Sequence, residues 1–277
     1  MTHPSAPRRR RAPARAALAG AVLAGLAVLA PVHAAADTGA AAGGVTHPER
    51  DFMGWSHRGT AGSGTPGAID AATQTPGIDV SHWQGTLNWA GQYASGVRFA
   101  WIKATEGVSY RDPAFSANYT GAYKAGVIRG GYHFALPDRS SGATQANYFA
   151  DHGGGWSRDG MTLPGTLDIE YNPYGATCYG LSKTGMVAWI RDFTATYRAR
   201  TGRDAVIYST TDWWTTCTGN NGSFGATNPL WIARYAATAG TLPAGWGYYT
   251  VWQYTSTPLD RDRFNGSYAR LQALALG

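Results

Sequence analysis

Asp168 and Glu170 stand two residues apart in Leu167-Asp168-Ile169-Glu170-Tyr171, at the end of a short apolar run. Leu163, Leu167 and Ile169, introduced by Pro164-Gly165, read as a buried strand. Side chains alternate across a strand, so both acids emerge on one face with Cα atoms ~6.6 Å apart. Two carboxyls that close in a low-dielectric site cannot both keep ordinary pKa values, and one is driven to hold its proton. A protonated acid beside an ionised one is the equipment for cleaving a glycosidic bond. The same spacing also occurs on solvent-facing strand edges, so other segments must decide.

Short β-rich runs recur at residues 77–81, 99–104, 129–134, 166–170, 205–209, 230–234 and 249–254. Helical patterns separate the early ones. Phe115, Tyr119, Ala122 and Tyr123 share a face and stop at Gly126, and residues 143–150 form a second candidate. The clearest helix has Ser182 as N-cap, Met186, Ile190, Phe193 and Tyr197 on one face, and Gly202 past its end. After Tyr208 the helical signal fades. This alternation predicts a parallel α/β barrel whose second half is poor in helices.

Asp79, Lys103, Glu106, His133, Asp168, Glu170, Arg234 and Gln253 all fall at or just past the carboxyl ends of these strands. Barrel enzymes build their sites at that end. Each residue alone reads equally well as an ion-pair or capping partner; their convergence favours a site. Ten of the eleven tryptophans follow residue 77, with Trp83, Trp101, Trp231 and Trp252 beside strand ends and Tyr132, Tyr171 and Tyr254 nearby. Such rings can stack on flat apolar sugar faces, although about half are expected to be scaffold. His133 reads as a hydrogen-bonded barrel residue, and His82, His133 and His152 have no metal-ligand spacing. No G-x-S-x-G, H-E-x-x-H or G-x-x-x-x-G-K motif is present. Neither a metal nor a cofactor is expected.

The N-terminal part does not read as fold. Arg8 to Arg11 and Arg15 form a positive region, and residues 16–29 an apolar one. Val32-His33-Ala34 or Ala34-Ala35-Ala36 offers a cleavage site, so residues 1–36 are expected to be a signal peptide. Residues 37–76 are rich in Gly, Ala, Ser, Thr and Pro and read as a propeptide or disordered linker. Gly62-Ser63-Gly64-Thr65-Pro66-Gly67 matches a dinucleotide fingerprint only by composition, since no strand precedes it. Residues 77–277 remain as one catalytic domain. The whole chain carries +6. Seven of its basic and four of its acidic residues precede Gly77, leaving a mildly basic domain with no Lys/Arg cluster for nucleic acid. Cys178 and Cys217, the two cysteines of an exported chain, are expected to pair, both on loops. A secreted, extracellular monomer with no membrane attachment after signal cleavage is the expectation.

Several ordered segments resemble glycoside hydrolase family 25, the Chalaropsis-type lysozymes. They are Gly77-Ile78-Asp79-Val80-Ser81-His82-Trp83-Gln84-Gly85, Phe99-Ala100-Trp101-Ile102-Lys103-Ala104-Thr105-Glu106-Gly107 and Gly130-Gly131-Tyr132-His133-Phe134-Ala135. Leu167-Asp168-Ile169-Glu170 and Val251-Trp252-Gln253-Tyr254 continue the likeness, which runs from Gly77 to the C-terminus. The resemblance is greatest to secreted lysozymes of filamentous soil actinobacteria. It implies an irregular TIM-like β/α barrel, with helices missing from the second half. It also implies hydrolysis of the β-1,4 bond between N-acetylmuramic acid and N-acetylglucosamine in peptidoglycan glycan strands. On it, Glu170 falls on the general acid/base, Asp168 on its partner carboxylate, and Asp79 and Asp260 on the other active-site aspartates. Tyr132, Lys103, Glu106, Tyr171, Arg234, Trp252 and Gln253 are the expected substrate-binding residues. In Leu259-Asp260-Arg261-Asp262 the pattern departs, because Leu and a second Asp stand where Val and Asn are frequent, so Asp262 competes with Asp260.

Two mechanisms fit these acids: attack by the substrate's own acetamido group with Asp168 orienting it, or a carboxylate acting as nucleophile or base. The short D-x-E spacing leaves little room for a water between them and favours the first. A non-catalytic peptidoglycan-binding module would have no need of Glu170. A chitinase-like N-acetylglucosaminidase shares strand-end D-x-E acids and is disfavoured by the flanking motifs.

Overall fold

The computed structural model describes residues 1, 53–55 and 73–277. The expected signal peptide lies outside the described residues, as does most of the expected linker.

Nine strands form one sheet: β1 (Thr75–Val80), β2 (Phe99–Glu106), β3 (Tyr110–Arg111), β4 (Ile128–Phe134), β5 (Thr166–Asp168), β6 (Val206–Ser209), β7 (Leu230–Ala233), β8 (Val251–Thr255) and β9 (Arg261–Phe264). Parallel pairing runs β1-β2-β4-β5-β6-β7-β8, and β9 closes the circle by pairing antiparallel with both β8 and β1. The result is an eight-strand barrel, with β3 a short arm on the end of β2. Every expected strand is present. β9 was not expected: Arg-Asp-Arg-Phe is short and charged, and only its barrel position makes it a strand. β1 begins at Thr75 rather than Gly77, because Thr75 pairs with Phe264 and its hydroxyl donates to Gly266 O at 2.8 Å.

Strands covered on both faces read as near-continuous apolar runs. All eight residues of β2 are buried accordingly. Phe99, Trp101, Tyr132, Val206, Tyr208, Trp231 and Val251 belong to one core cluster. Gly130 makes room for the Trp101 indole, since a Cβ there would sit 2.6 Å from Nε1; that nitrogen instead donates to Pro164 O at 3.0 Å.

Among the described residues six α-helices accompany the barrel: α1 (Trp89–Ala94), α2 (Phe115–Lys124), α3 (Gly142–Phe149), α4 (Lys183–Thr201), α5 (Thr211–Thr218) and α6 (Tyr268–Leu276). In α4, Ser182 accepts from Gly185 N–H, and Gly202 closes the helix with φ 74°. Its face of Met186, Ile190, Phe193 and Tyr197 is fully buried in the same cluster as Leu167, Ile169 and Ile207. The face expected for α4 is thus used in full against the barrel, whereas in α2 Ala122 is buried, Phe115 and Tyr119 are half-buried, and Tyr123 is exposed. α1 has only six residues, and α5 and α6 fall where the helical signal of the sequence fades. No helix joins β7 to β8 or β8 to β9, so the helix-poor second half is real.

Cys178 and Cys217 are bonded, their Cα atoms 5.3 Å apart. Cys178 lies on the loop after β5, whereas Cys217 sits in the last turn of α5, not on a loop as expected. The bridge closes 39 residues of sequence. Closing a loop of that size stabilises by about 4 kcal/mol on the chain-entropy account. Cys178→Ser/Cys217→Ser should therefore lower the urea midpoint markedly; an unchanged midpoint would show that the unfolded chain is not what the bridge restrains.

Candidate active site

The barrel end at the carboxyl termini of the parallel strands collects most of the buried charge. Asp79, Lys103, Glu106, Asp168, Glu170, Gln253, Asp260 and Asp262 are each at most 4 % exposed. In a regular strand Lys103 and Glu106, three apart, would face opposite sides. A register shift between Lys103 and Thr105 restores them to one side. Lys103 Nζ then reaches Glu106 Oε2 at 2.6 Å, and Tyr174 donates to Glu106 Oε1 at 2.5 Å. The ammonium also lies over the Phe134 and Tyr110 rings.

Gln253 organises the opposite wall. Its Nε2 donates to Asp79 Oδ2 at 2.7 Å, while its Oε1 accepts from Tyr208 at 2.7 Å and Tyr235 at 3.1 Å. Asp262, opposite Gln253 in the ladder, takes the Trp231 indole N–H at 3.0 Å and hydrogen-bonds with Asp79. Burial pushes Asp79 up to about 7, opposed by the hydrogen bonds from Gln253 and Asp262. Burial, then the charges of Asp79 and Asp260, push Asp262 well above the ordinary carboxylate range. Asp260 lies just ahead of β9, where its charge bears on Tyr235 and Asp262.

Asp168 ends β5, and Glu170 follows two residues on, past the end of the strand. Both oxygens of Asp168 lack a hydrogen-bond partner among the described residues. Burial and the adjacent Glu170 raise its pKa well above normal, against the pull of Lys103. The buried Tyr132 phenol is held neutral by burial and by the charges of Asp79 and Asp168. It remains a hydroxyl donor facing acids. Glu170 Oε1 accepts from the backbone N–H of Gly54 at 2.6 Å. That contact comes from the segment expected to be structureless, so around Met53–Trp55 the expectation is corrected.

Among the other expected binders, Tyr171 is on the rim and donates to Asp212 Oδ2 at 2.7 Å. Arg234, exposed, lines a cavity of about 390 Å³ with Thr210, Thr211, Asp212 and Tyr235. Trp252 alternates with Gln253 and so turns the other way, into the outer core, its N–H donating to Arg234 O at 2.8 Å. The structure does not bring it into the cleft. His133 is a barrel residue: Thr105 hydroxyl bonds Nδ1 at 2.8 Å, Gln145 Oε1 takes Nε2–H at 2.9 Å, and burial lowers its pKa to about 4. Sequence reasoning missed Tyr208, Tyr235 and Tyr174. Tyr208 was legible by register, since it pairs with Asp168.

The raised pair has a consequence for stability. Between pH 3.8 and about 7 the folded Asp79–Asp262 pair keeps protons that the unfolded chain has released, so stability falls as pH rises through that window. Asp262→Asn cannot ionise and keeps an acceptor for Trp231. Its melting temperature relative to the parent should be more favourable at pH 8 than at pH 5. A difference that does not change with pH would dismiss the burden on Asp262.

Residues 78–262 match the family described as Glycosyl hydrolases family 25. Lysozyme M1 of Streptomyces globisporus is 52% identical over 283 residues, covering 97% of this chain and 96% of that one. The N,O-diacetylmuramidase of Chalaropsis sp is 50% identical over 208 residues, 73% of this chain and 99% of its own. The bacterial lysozyme from Streptomyces coelicolor superposes with TM-score 0.72 at 57% identity, over 73% of this chain and 97% of that one. With the matched segment spanning the barrel from β1 into β9, the chain belongs to glycosyl hydrolase family 25.

Proposed function

We propose that this chain is an exported lysozyme that cleaves the β-1,4 bond between N-acetylmuramic acid and N-acetylglucosamine in peptidoglycan, acting as a monomer. The observation that carries this reading is Asp168, a buried carboxyl with both oxygens unpartnered among the described residues, set two residues from Glu170. A polar group so placed is costly unless a ligand supplies the missing donor. The acetamido N–H of the sugar on the non-reducing side of the scissile bond is such a donor. Export follows from the N-terminal sequence; no helix among the described residues is long and apolar enough to cross a membrane.

In this reading Glu170 gives its proton to the glycosidic oxygen as the bond breaks. The acetamido oxygen attacks the anomeric carbon, and Asp168 holds the acetamido nitrogen as positive charge develops. Water then opens the cyclic intermediate, its proton returning to Glu170. Asp79, with Gln253 behind it, and Asp260 face the same sugar, while Tyr132 offers a hydroxyl donor. Lys103 and Glu106 act from behind as a fixed pair whose ammonium moderates Asp168. Tyr171 and Arg234 line the rim, where the glycan continues.

Glu170→Gln keeps the shape and cannot donate a proton, so kcat should fall ~10²–10⁴-fold. The check is mass spectrometry of reducing ends released from purified peptidoglycan. Muramic acid ends from the parent and none from Glu170→Gln are expected. Glucosamine ends would instead establish a glucosaminidase.

A further inference from the structure

Met53, Gly54 and Trp55 precede the barrel, yet they lie in its mouth. Met53 is fully buried and belongs to the core cluster that contains Tyr132, Tyr208 and Trp231. Gly54 N–H donates to Glu170 Oε1 at 2.6 Å, and Tyr235 hydroxyl reaches Gly54 O at 3.5 Å. Trp55 Nε1 donates to Tyr171 O at 3.0 Å. Three consecutive residues thus engage the proposed acid, the Gln253-bound tyrosine and the rim.

The fit is specific to glycine. Gly54 has φ 78°, in the region that side-chain-bearing residues avoid. A Cβ would lie 2.3 Å from Tyr235 Oη, 2.8 Å from Gln253 Oε1 and 3.1 Å from Tyr208 Oη. Those three atoms hold one another in place, so they cannot yield cheaply. The contact also occupies the proposed acid. An amide N–H can only donate, so Oε1, one of the two oxygens from which the proton could be delivered, is taken as an acceptor. A sugar at the scissile position would need the same volume.

Resting on the muramidase reading, the geometry points to Met53–Trp55 as a tethered inhibitor: the segment occupies the scissile-sugar position and slows the full chain, which turns over only while the segment is out of the cleft. A tether makes the occupant local, so the inhibition is independent of protein concentration.

The test compares the full chain with Gly54→Val and Met53→Asp, neither of which alters the catalytic groups. Muramic acid ends released from peptidoglycan give the rate, and amide hydrogen exchange of the peptide containing Met53–Trp55 reports docking. The parent should show protected amides and a rate at least tenfold below both variants, whose amides should exchange freely. Equal rates with protected amides would overturn inhibition. Rapid exchange in the parent would overturn docking. If no form releases muramic acid, the muramidase reading fails, and chitotriose binding then decides: calorimetric binding to Gly54→Val but not to the parent keeps the plug, and equal binding removes it.

Discussion

One constraint governs this molecule: six carboxyls, those of Asp79, Glu106, Asp168, Glu170, Asp260 and Asp262, are confined to one buried barrel end. Two like charges 4 Å apart at an effective dielectric of 20 repel by about 4 kcal/mol. The fold relieves this by leaving protons on some acids and by surrounding the rest with neutral donors. Asp79 and Asp262 form a hydrogen-bonded pair, and Gln253 presents its amide to Asp79 because two phenols occupy its carbonyl. The tyrosines are held neutral by the same burial. The nearby ammonium of Lys103 is committed to Glu106.

Rigid placement comes from backbone devices. The shifted register in β2 turns Glu106 toward Lys103, and a second shift, between Gln253 and Thr255 in β8, lies just before the last pair of the ladder with β9, Thr255 opposite Arg261. The loop after β5 is held at two points within its span. Tyr174 is anchored on Glu106, and Cys178 on α5. Tyr171 lies on that loop, so the rim is tied to the same framework as the acids.

Much of this was legible because strand parity and strand ends are local properties. Asp168 and Glu170 declared themselves by spacing, and α4 by its caps and its period. Gln253 and Trp252 show the limit. Adjacent residues cannot both face the barrel, and an inward Gln253 dictates an outward Trp252, a choice that motif likeness alone does not make. β9 was hidden because nothing in Arg-Asp-Arg-Phe favours a strand; its partners lie in β8 and β1, and β1 is nearly the whole domain away. The docking of Met53–Trp55 has no periodic signature at all, being set by contacts to Glu170, Tyr171 and Tyr235.

The antiparallel β9 has a consequence for biogenesis. Thr75 pairs with Phe264, so one edge of the first strand waits for the last. Contacts of such sequence separation carry a large loop-closure entropy and slow folding. Until residues 261–264 are available, the barrel is an open sheet with two raw edges, and Asp260 and Asp262 are missing from its mouth. Interrupted synthesis therefore yields no partly competent fragment. The chain must be made almost in full before it can have an activity to restrain.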